Sequence, residues 1–299
     1  MELEQVSPFS TVDANKHLLR FLWLEITKRC NLACRHCYRN SSPKAELLGT
    51  MTDEDWIRLI HEAKEVGCTL VQFIGGEPLV HPSFSLLLQI AHGTGMNVEV
   101  FTNATLVEDD VADLFSKYGT RVAVSVYADD PVTHDRVTSH KGSHSMTEKA
   151  ICRLVDRGID LRVGIIEQGE NSDIIEQTVE YVRRLGVQNV GTDHIRAVGR
   201  GVKVGSTGWQ SDPMAALCGQ CHKARLAVDI NGDAFPCVLS NAFPVGNIRN
   251  GLLQVLSGKR LENFRQNQQG YKGNPCNSGC SPDDQRFPRC KPNCVPKGD

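Results

Sequence analysis

The sequence has no excess of basic charge, no apolar run of membrane-spanning length and no secretory start. Across its 299 residues, 33 Lys and Arg stand against 35 Asp and Glu, a formal net charge of −2. That balance gives no electrostatic footprint for a nucleic-acid backbone or an anionic membrane. No apolar stretch approaches the roughly 18–20 residues that cross a bilayer. The opening MELEQVSPFS is acidic and polar, without the basic n-region and apolar h-region of a secretory signal. The expectation is a cytoplasmic protein with neither nucleic acid nor membrane among its partners. Hydrophobic residues at 40% and charged residues at 23% exclude a disordered or collagen-like chain. At roughly 100–200 residues per domain, the length points to about two domains.

What the sequence does have is cysteine, twelve in all and unevenly placed. Three lie within Cys30–Cys37 and seven between Cys218 and Cys294, leaving Cys68 and Cys152 outside both groups. Disulfides rarely persist in a reducing compartment, where clustered cysteines bind metal or do redox chemistry. Cys68, at a helix–strand turn, and Cys152, within a helix, read as small packing residues.

From residue 21 to residue 195 the hydrophobic period switches back and forth between two and 3.6. Strands are expected at Phe21–Ile26, Leu70–Ile74, Asn97–Thr102, Arg121–Val126, Asp160–Ile166 and Asn189–Ile195. Helices are expected at Thr52–Val66, Pro82–Ala91, Glu108–Lys117, Ser145–Asp156 and Asn171–Leu185. Such alternation calls for right-handed crossovers and a parallel sheet. Periodicity alone leaves a doubly wound sheet and a partial barrel both open, and either would put ligands at the C-terminal strand ends. Residues 201–217 read as a linker. After Cys218 the chain is rich in Cys, Pro, Gly and Asn; Leu252–Phe264 can carry one or two helical turns. Such a tail would bury little apolar area and need cross-links to hold a shape.

The first cysteine group, CNLACRHC over residues 30–37, has the spacing C-x₃-C-x₂-C directly after the first strand. Three thiolates on one loop can hold three irons of a cubane and leave the fourth without a protein ligand. Electron-transfer clusters normally take four cysteines, so a three-cysteine set points to an open iron that binds something. A structural zinc site would want a fourth Cys or His at finger-like spacing, and His36 lies awkwardly between two of the thiols.

In this position the motif resembles that of the radical S-adenosylmethionine (SAM) superfamily. The resemblance implies a partial (β/α)6 barrel in which the loop holds a 4Fe–4S cluster through Cys30, Cys34 and Cys37. The open iron would chelate SAM, whose reductive cleavage yields a 5′-deoxyadenosyl radical that takes hydrogen from substrate. Gly75-Gly76-Glu77-Pro78, ending the second strand, is similar to the family's GGEP: glycines admit close backbone approach, and a carboxylate can accept from an ammonium. Asn103 stands at the T-N-G position, with Ala104 in place of the last glycine, and Ser125 ends the fourth strand where a serine often contacts SAM. Both could equally satisfy strand-end backbone. Arg196, followed by Gly199 and Arg200, stands where an Arg could pair with the SAM carboxylate or simply with a surface acid. His36 and Tyr38 flank the last cysteine, where the family lays an aromatic or imidazole side chain along the adenine. His134, Asp135, Arg136, Gly142 and Ser143 resemble, with imperfect spacing, an H-D-x-x-R…G-S region of peptide-modifying members.

The second group, Cys218, Cys221, Cys237, Cys276, Cys280, Cys290 and Cys294, resembles the SPASM extension of the same superfamily, which holds one or two auxiliary 4Fe–4S clusters. Its intervals of x₃ and x₉ replace the usual x₂ and x₅. Family logic places Cys218, Cys221, Cys237 and Cys294 on the nearer cluster and Cys276, Cys280 and Cys290 on the farther. Seven cysteines are one short of two full cubanes, and Asp283 or Asp284 is offered as the missing ligand. Zinc knots are the rival reading. The expected organisation is a radical SAM core over 1–200, a linker over 201–217 and a cysteine-rich domain over 218–299.

The resemblance gives a reaction type, with a ribosomal precursor peptide to be cross-linked or oxidised as the first substrate class. A sugar or nucleoside-type metabolite to be dehydrogenated or epimerised is the second. A non-catalytic iron–sulfur or zinc protein is the reading from another class. A flavodoxin- or ferredoxin-type donor would supply the electron. Because only about twenty residues precede the first strand, with no fused recognition domain among them, recognition would need a separate protein or a self-sufficient pocket.

Overall fold

Along the first strand, alternate side chains enter two different environments, and both are dry. The computed structural model describes residues 19–204, 213–221 and 223–268. Strand β1 (Phe21–Thr27) is buried at every position, as expected of a parallel strand covered on both faces. Leu22, Leu24 and Ile26 share a core with Val71 and Phe73 of β2 (Leu70–Gly75) and Val98 and Val100 of β3 (Asn97–Thr102). Val122, Val124 and Val126 of β4 (Arg121–Val126) and Val163 and Ile165 of β5 (Leu161–Glu167) continue it. The helices on that side are α1 (Asp53–Glu65), α2 (Phe84–Gly93), α3 (Asp109–Lys117), α5 (Ser143–Asp156) and α6 (Ile175–Arg184), with α4 (Pro131–Thr138) just ahead of α5. They contribute Trp56, Leu59, Leu87, Phe115, Ile151 and Val182 to the same core. Helix α1 begins on a capping box in which Thr52 and Asp55 satisfy each other's backbone.

The other face of each strand turns to the interior of a partial (β/α)6 barrel closed by β6 (Asn189–His194). Its lower layer is charged. Arg162 donates to both oxygens of Glu99, at 2.9 and 2.8 Å, and Gln72 donates to Glu99 as well. Burial alone would raise the Glu99 carboxyl, but the Arg162 guanidinium overrides it and holds it below the usual carboxylate range.

The strand order is β6-β5-β4-β3-β2-β1-β7-β8-β9, parallel from β6 through β7 (Arg225–Val228). Strands β8 (Asp233–Phe235) and β9 (Gly246–Asn247) then run antiparallel. The expected tail of low apolar burial is corrected here. Leu226, Val228, Ala234, Val245 and Ile248 join the main core, so the segment after Cys218 builds on β1 rather than depending on cross-links alone. Helices α8 (Leu252–Leu256) and α9 (Lys259–Gln268) add Leu252, Val255 and Leu261 to it. Within the expected linker, α7 (Gly201–Val204) and a 3₁₀ turn at Pro213–Ala216 are ordered elements. Among the described residues no helix is long and apolar enough to cross a membrane.

The expected helix bounds shift by a few residues: α2 starts at Phe84 rather than Pro82, α5 at Ser143, and a 3₁₀ turn over Ser172–Ile174 precedes α6. Helix α4 is a new element. It is capped by Asp130, which accepts from Thr133 N at 2.9 Å, and has Pro131 in its first turn.

Candidate active site

The first cysteine loop leaves the C-terminal end of β1 and lies across the end of β2. Gly76 N donates to Thr27 O at 2.8 Å and Glu77 N to Arg29 O at 2.9 Å. A side chain on either glycine would collide. A Cβ on Gly76 would meet the Arg29 carbonyl and lie 2.7 Å from Lys28 O, and one on Gly75, at φ +141°, would meet Thr27 O. The two glycines therefore let one backbone sit on another.

Glu77 is fully buried, and its carboxylate meets donors of the chain. Oε1 accepts from Thr102 Oγ1 at 2.8 Å and Leu79 N at 3.2 Å, and Oε2 from Asn103 N at 2.8 Å. Burial pushes its carboxyl up to about 7 against those three donors. Two carboxylate oxygens offer about four lone-pair sites, so these three donors leave capacity for a further one.

Asn103 serves the loop too. Its Nδ2 donates to Cys30 Sγ at 3.5 Å and to Asn31 Oδ1 at 2.9 Å, while Asn31 Nδ2 donates to Thr105 Oγ1 at 2.7 Å. Ala104, which stands where the resembling motif has glycine, adopts a left-handed backbone at φ +64°. On the far side, Arg200 Nε donates to Cys34 O at 2.8 Å and Nη2 to Ser41 O at 2.7 Å. Gly199, at φ +60°, lies so close to the Cys37 and Tyr38 carbonyls that a Cβ has no room.

His36 sets its ring edge-on to Tyr127, with centroids 4.9 Å apart. Burial, then the charge of Arg200, holds its imidazole neutral, down to about 4. Ser125, on the face of β4 opposite Val124 and Val126, turns to the barrel interior, and burial pushes the nearby Tyr127 phenol well above its ordinary range. Arg196 pairs with Asp193 of β6 at 2.8 Å, and both are buried, so this acid is not one at the surface. Tyr38 lines a cavity of about 570 Å³ between this loop and the C-terminal segment, with Arg39, Lys44, Asp229 and Phe235.

The thiols themselves are buried or half-buried. Burial, with the Glu77 charge added, pushes Cys30 up to about 12. Burial and the other two thiols push Cys34 to about 12 as well. Iron bound here would displace those protons. The donor set fits a 4Fe–4S cluster: three thiols share one loop, and Cys30 Sγ accepts an N–H from Leu32 at 3.4 Å besides that of Asn103. Among the described residues no three His, Cys, Asp or Glu side chains converge as a single-ion site; a cubane spreads its ligand sulfurs wider than one ion does.

In the second group Cys221 and Cys237 lie 3.2 Å apart and share a hydrogen bond, which lets one of the two thiols ionise more readily at the expense of the other. Cys218 is half-buried nearby. Cys276, Cys280, Cys290 and Cys294, with Asp283 and Asp284, lie outside the described residues.

Several residues that hold the loop had no sequence signal of their own, among them Asn31, Thr105 and Thr138. Arg200 and Asp135 did have one, as parts of motifs whose structural use was not legible.

Comparison with known proteins agrees with this geometry. The radical SAM superfamily profile matches residues 24–182, more than half of the chain, and an iron–sulfur cluster-binding SPASM domain profile matches residues 218–281. The antilisterial bacteriocin subtilosin biosynthesis protein AlbA of Bacillus subtilis (strain 168) is 33% identical over 179 residues, 59% of this chain and 40% of that protein. The sporulation killing factor maturation protein SkfB of the same organism is 28% identical over 270 residues, 80% of this chain and 65% of that protein. The chain thus spans less than two thirds of the length of these curated relatives. Streptococcus suis SuiB bound to S-adenosylmethionine superposes with a TM-score of 0.69 at 16% identity, over 83% of this chain and 68% of that one, which shows the fold. With a cysteine loop cradled at the end of β1 and a matching profile over the barrel, this chain belongs to the radical SAM superfamily and carries a SPASM-type C-terminal region.

Proposed function

We propose that this chain is a radical SAM maturase that takes hydrogen from a ribosomally made precursor peptide and so cross-links or oxidises it. The observation that carries the reading is the first cysteine loop: three thiols held from three sides on the ends of β1, β2 and β3. In this proposal Cys30, Cys34 and Cys37 hold a 4Fe–4S cluster, with Gly75, Gly76, Glu77, Asn103, Ser125, Arg196, His36 and Tyr38 around the SAM that would bind its open iron. Glu77, through its N–H to Arg29 O, and Asn103, through Nδ2 to Cys30 Sγ, also hold the loop. Held there and reduced, such a cluster would supply the one electron needed to cleave bound SAM to methionine and a 5′-deoxyadenosyl radical. The protein's part is to bury the thiols, orient the loop and keep His36 neutral beside it.

The peptide substrate is inferred from relatives named for the biosynthesis of subtilosin and the maturation of a killing factor. A flavodoxin- or ferredoxin-type donor, a separate peptide-recognition protein and a cytoplasmic setting complete the proposal. Residues 1–200 form its catalytic core, 201–217 its linker and 218–299 the region that carries one or two auxiliary clusters through Cys218, Cys221, Cys237, Cys276, Cys280, Cys290 and Cys294.

The test is anaerobic reconstitution with iron and sulfide, reduction with dithionite and incubation with SAM. 5′-Deoxyadenosine is expected, and none from Cys30→Ala, Cys34→Ala or Cys37→Ala. An iron-replete protein that yields no 5′-deoxyadenosine would refute the reading, as would product from any of the three variants.

A further inference from the structure

Helix α4 carries the H-D segment noted in the sequence, and its last turn faces the cysteine loop. Ala33 N donates to Thr138 O at 3.2 Å and Arg35 N to Val137 O at 2.9 Å. The two peptide N–H groups on either side of Cys34 are thus held by two carbonyls at the end of α4, groups that a helix terminus leaves without intrahelical partners.

What holds that end in place is Asp135. Its Oδ1 accepts from Ser143 Oγ and from His144 N, each at 2.9 Å, and its Oδ2 from Gly142 N at 2.5 Å. These donors belong to the start of α5, whose own N-cap residue, Gly142, has no side chain to offer. A carboxylate on one helix therefore caps the next. Thr138 Oγ1 and Ser143 Oγ lie 2.7 Å apart, and His134 Nδ1 and Ser143 Oγ 3.2 Å apart, which closes the turn. Between them Ser139 sits at φ +57°, a left-handed conformation that a non-glycine residue keeps only where its surroundings impose it.

We propose that Asp135 is a positioning residue for the first cysteine loop: by locking α4 to the start of α5 it fixes the Val137 and Thr138 carbonyls, and through them Cys34. The inference rests on the reading that Cys30, Cys34 and Cys37 hold a cluster that binds SAM. It adds that the loop's geometry is set from a helix outside the cysteine motif.

The experiment uses the full-length, reconstituted protein and two readouts: the change in the reduced cluster's EPR spectrum as SAM is titrated, and the rate at which a ferrous chelator strips iron. Asp135→Asn keeps one acceptor oxygen and Asp135→Ala keeps none. SAM should be needed at about tenfold higher concentration in the alanine variant, as expected for loss of charged hydrogen bonds, with faster iron release and the asparagine variant in between. Val182→Ala, a core truncation on α6, is the control of comparable melting temperature. It should leave the SAM titration and iron release at wild-type values. If Asp135→Ala does not fold, Asp135→Asn and Ser143→Ala carry the test.

Wild-type SAM response and iron release in the Asp135 variants would overturn the inference, as would equal losses in Val182→Ala, which would make the effect one of global stability. If the wild-type protein holds no iron through the first loop, the proposed function falls with it. If the wild type responds to SAM and the Asp135 variants respond identically, only this inference fails.

Discussion

Replacing Gly76 with alanine would place a methyl group 2.7 Å from Lys28 O and closer still to the carbonyl of Arg29. Non-bonded carbon atoms rest at about 3.5–4.0 Å, so the backbone at residues 28 and 29 would have to retreat by about 1 Å. It is poorly placed to do so. Arg29 O accepts from Glu77 N at 2.9 Å, Arg29 N donates to Thr27 Oγ1 at 3.0 Å, and Cys30 N donates to Ser42 O at 3.2 Å. Overpacking of this kind costs about 1–3 kcal/mol, and loss of the Glu77–Arg29 hydrogen bond adds about 1 kcal/mol. Together these correspond to a melting temperature lower by roughly 3–6 °C for a chain of this size. Because the displaced residues directly precede Cys30, the loss should be unequal between forms: iron raises the melting temperature of the wild type more than that of Gly76→Ala. Circular dichroism melts of the apo and reconstituted forms, with iron counted per chain, make the measurement. A variant that melts within about a degree of wild type and keeps its iron would show that the close approach of β2 to the loop is not what holds Cys30.

Two further predictions concern side chains at the edges of the site. Arg200 spans the Cys34 and Ser41 carbonyls with one guanidinium, and a lysine ammonium cannot reproduce that fork; Arg200→Lys should release iron to a chelator several-fold faster, and wild-type retention would show the fork to be dispensable. Glu25, on the interior face of β1 and paired with Arg39, is pushed by burial from 4.5 to about 7 despite that partner. Its folded value lies above its unfolded one, so the stability it contributes is complete below about pH 4.5 and lost as pH rises through about 7, on the order of 3 kcal/mol. Glu25→Gln should flatten the pH dependence of unfolding midpoints over that window, and an unchanged slope would refute the assignment.

The strands were legible because a doubly covered strand leaves a run such as Phe21–Ile26 that nothing else in the chain mimics. The cysteine loop was legible because spacing and position together carry chemistry. Helix α4 was not, since its eight residues include Pro131, His134, Asp135 and Arg136 and present too few apolar side chains to register as a period. Its start signals, Asp130 and Pro131, were in place but had no stripe to begin. The loop's fastenings were also out of reach: Arg200 and Cys34 are 166 positions apart, and only the folded sheet brings them together. Glu77 shows a different limit. Its motif fixed where it sits but not which donors of the chain its carboxylate would meet: Thr102 Oγ1, Leu79 N and Asn103 N.

The C-terminal segment is tied to the first cysteine loop through β1. Cys221 and Cys237 pack with Phe21, Trp23, Ala227 and Phe235, while Cys30 follows the C-terminal end of that strand. Arg39, two residues past Cys37, pairs with Glu25 of β1 and lies 4.0 Å from Asp229, just past β7. Cys221 and Cys237 are therefore set relative to the first loop by the pairing of β7 with β1 and by the charged contacts of Arg39.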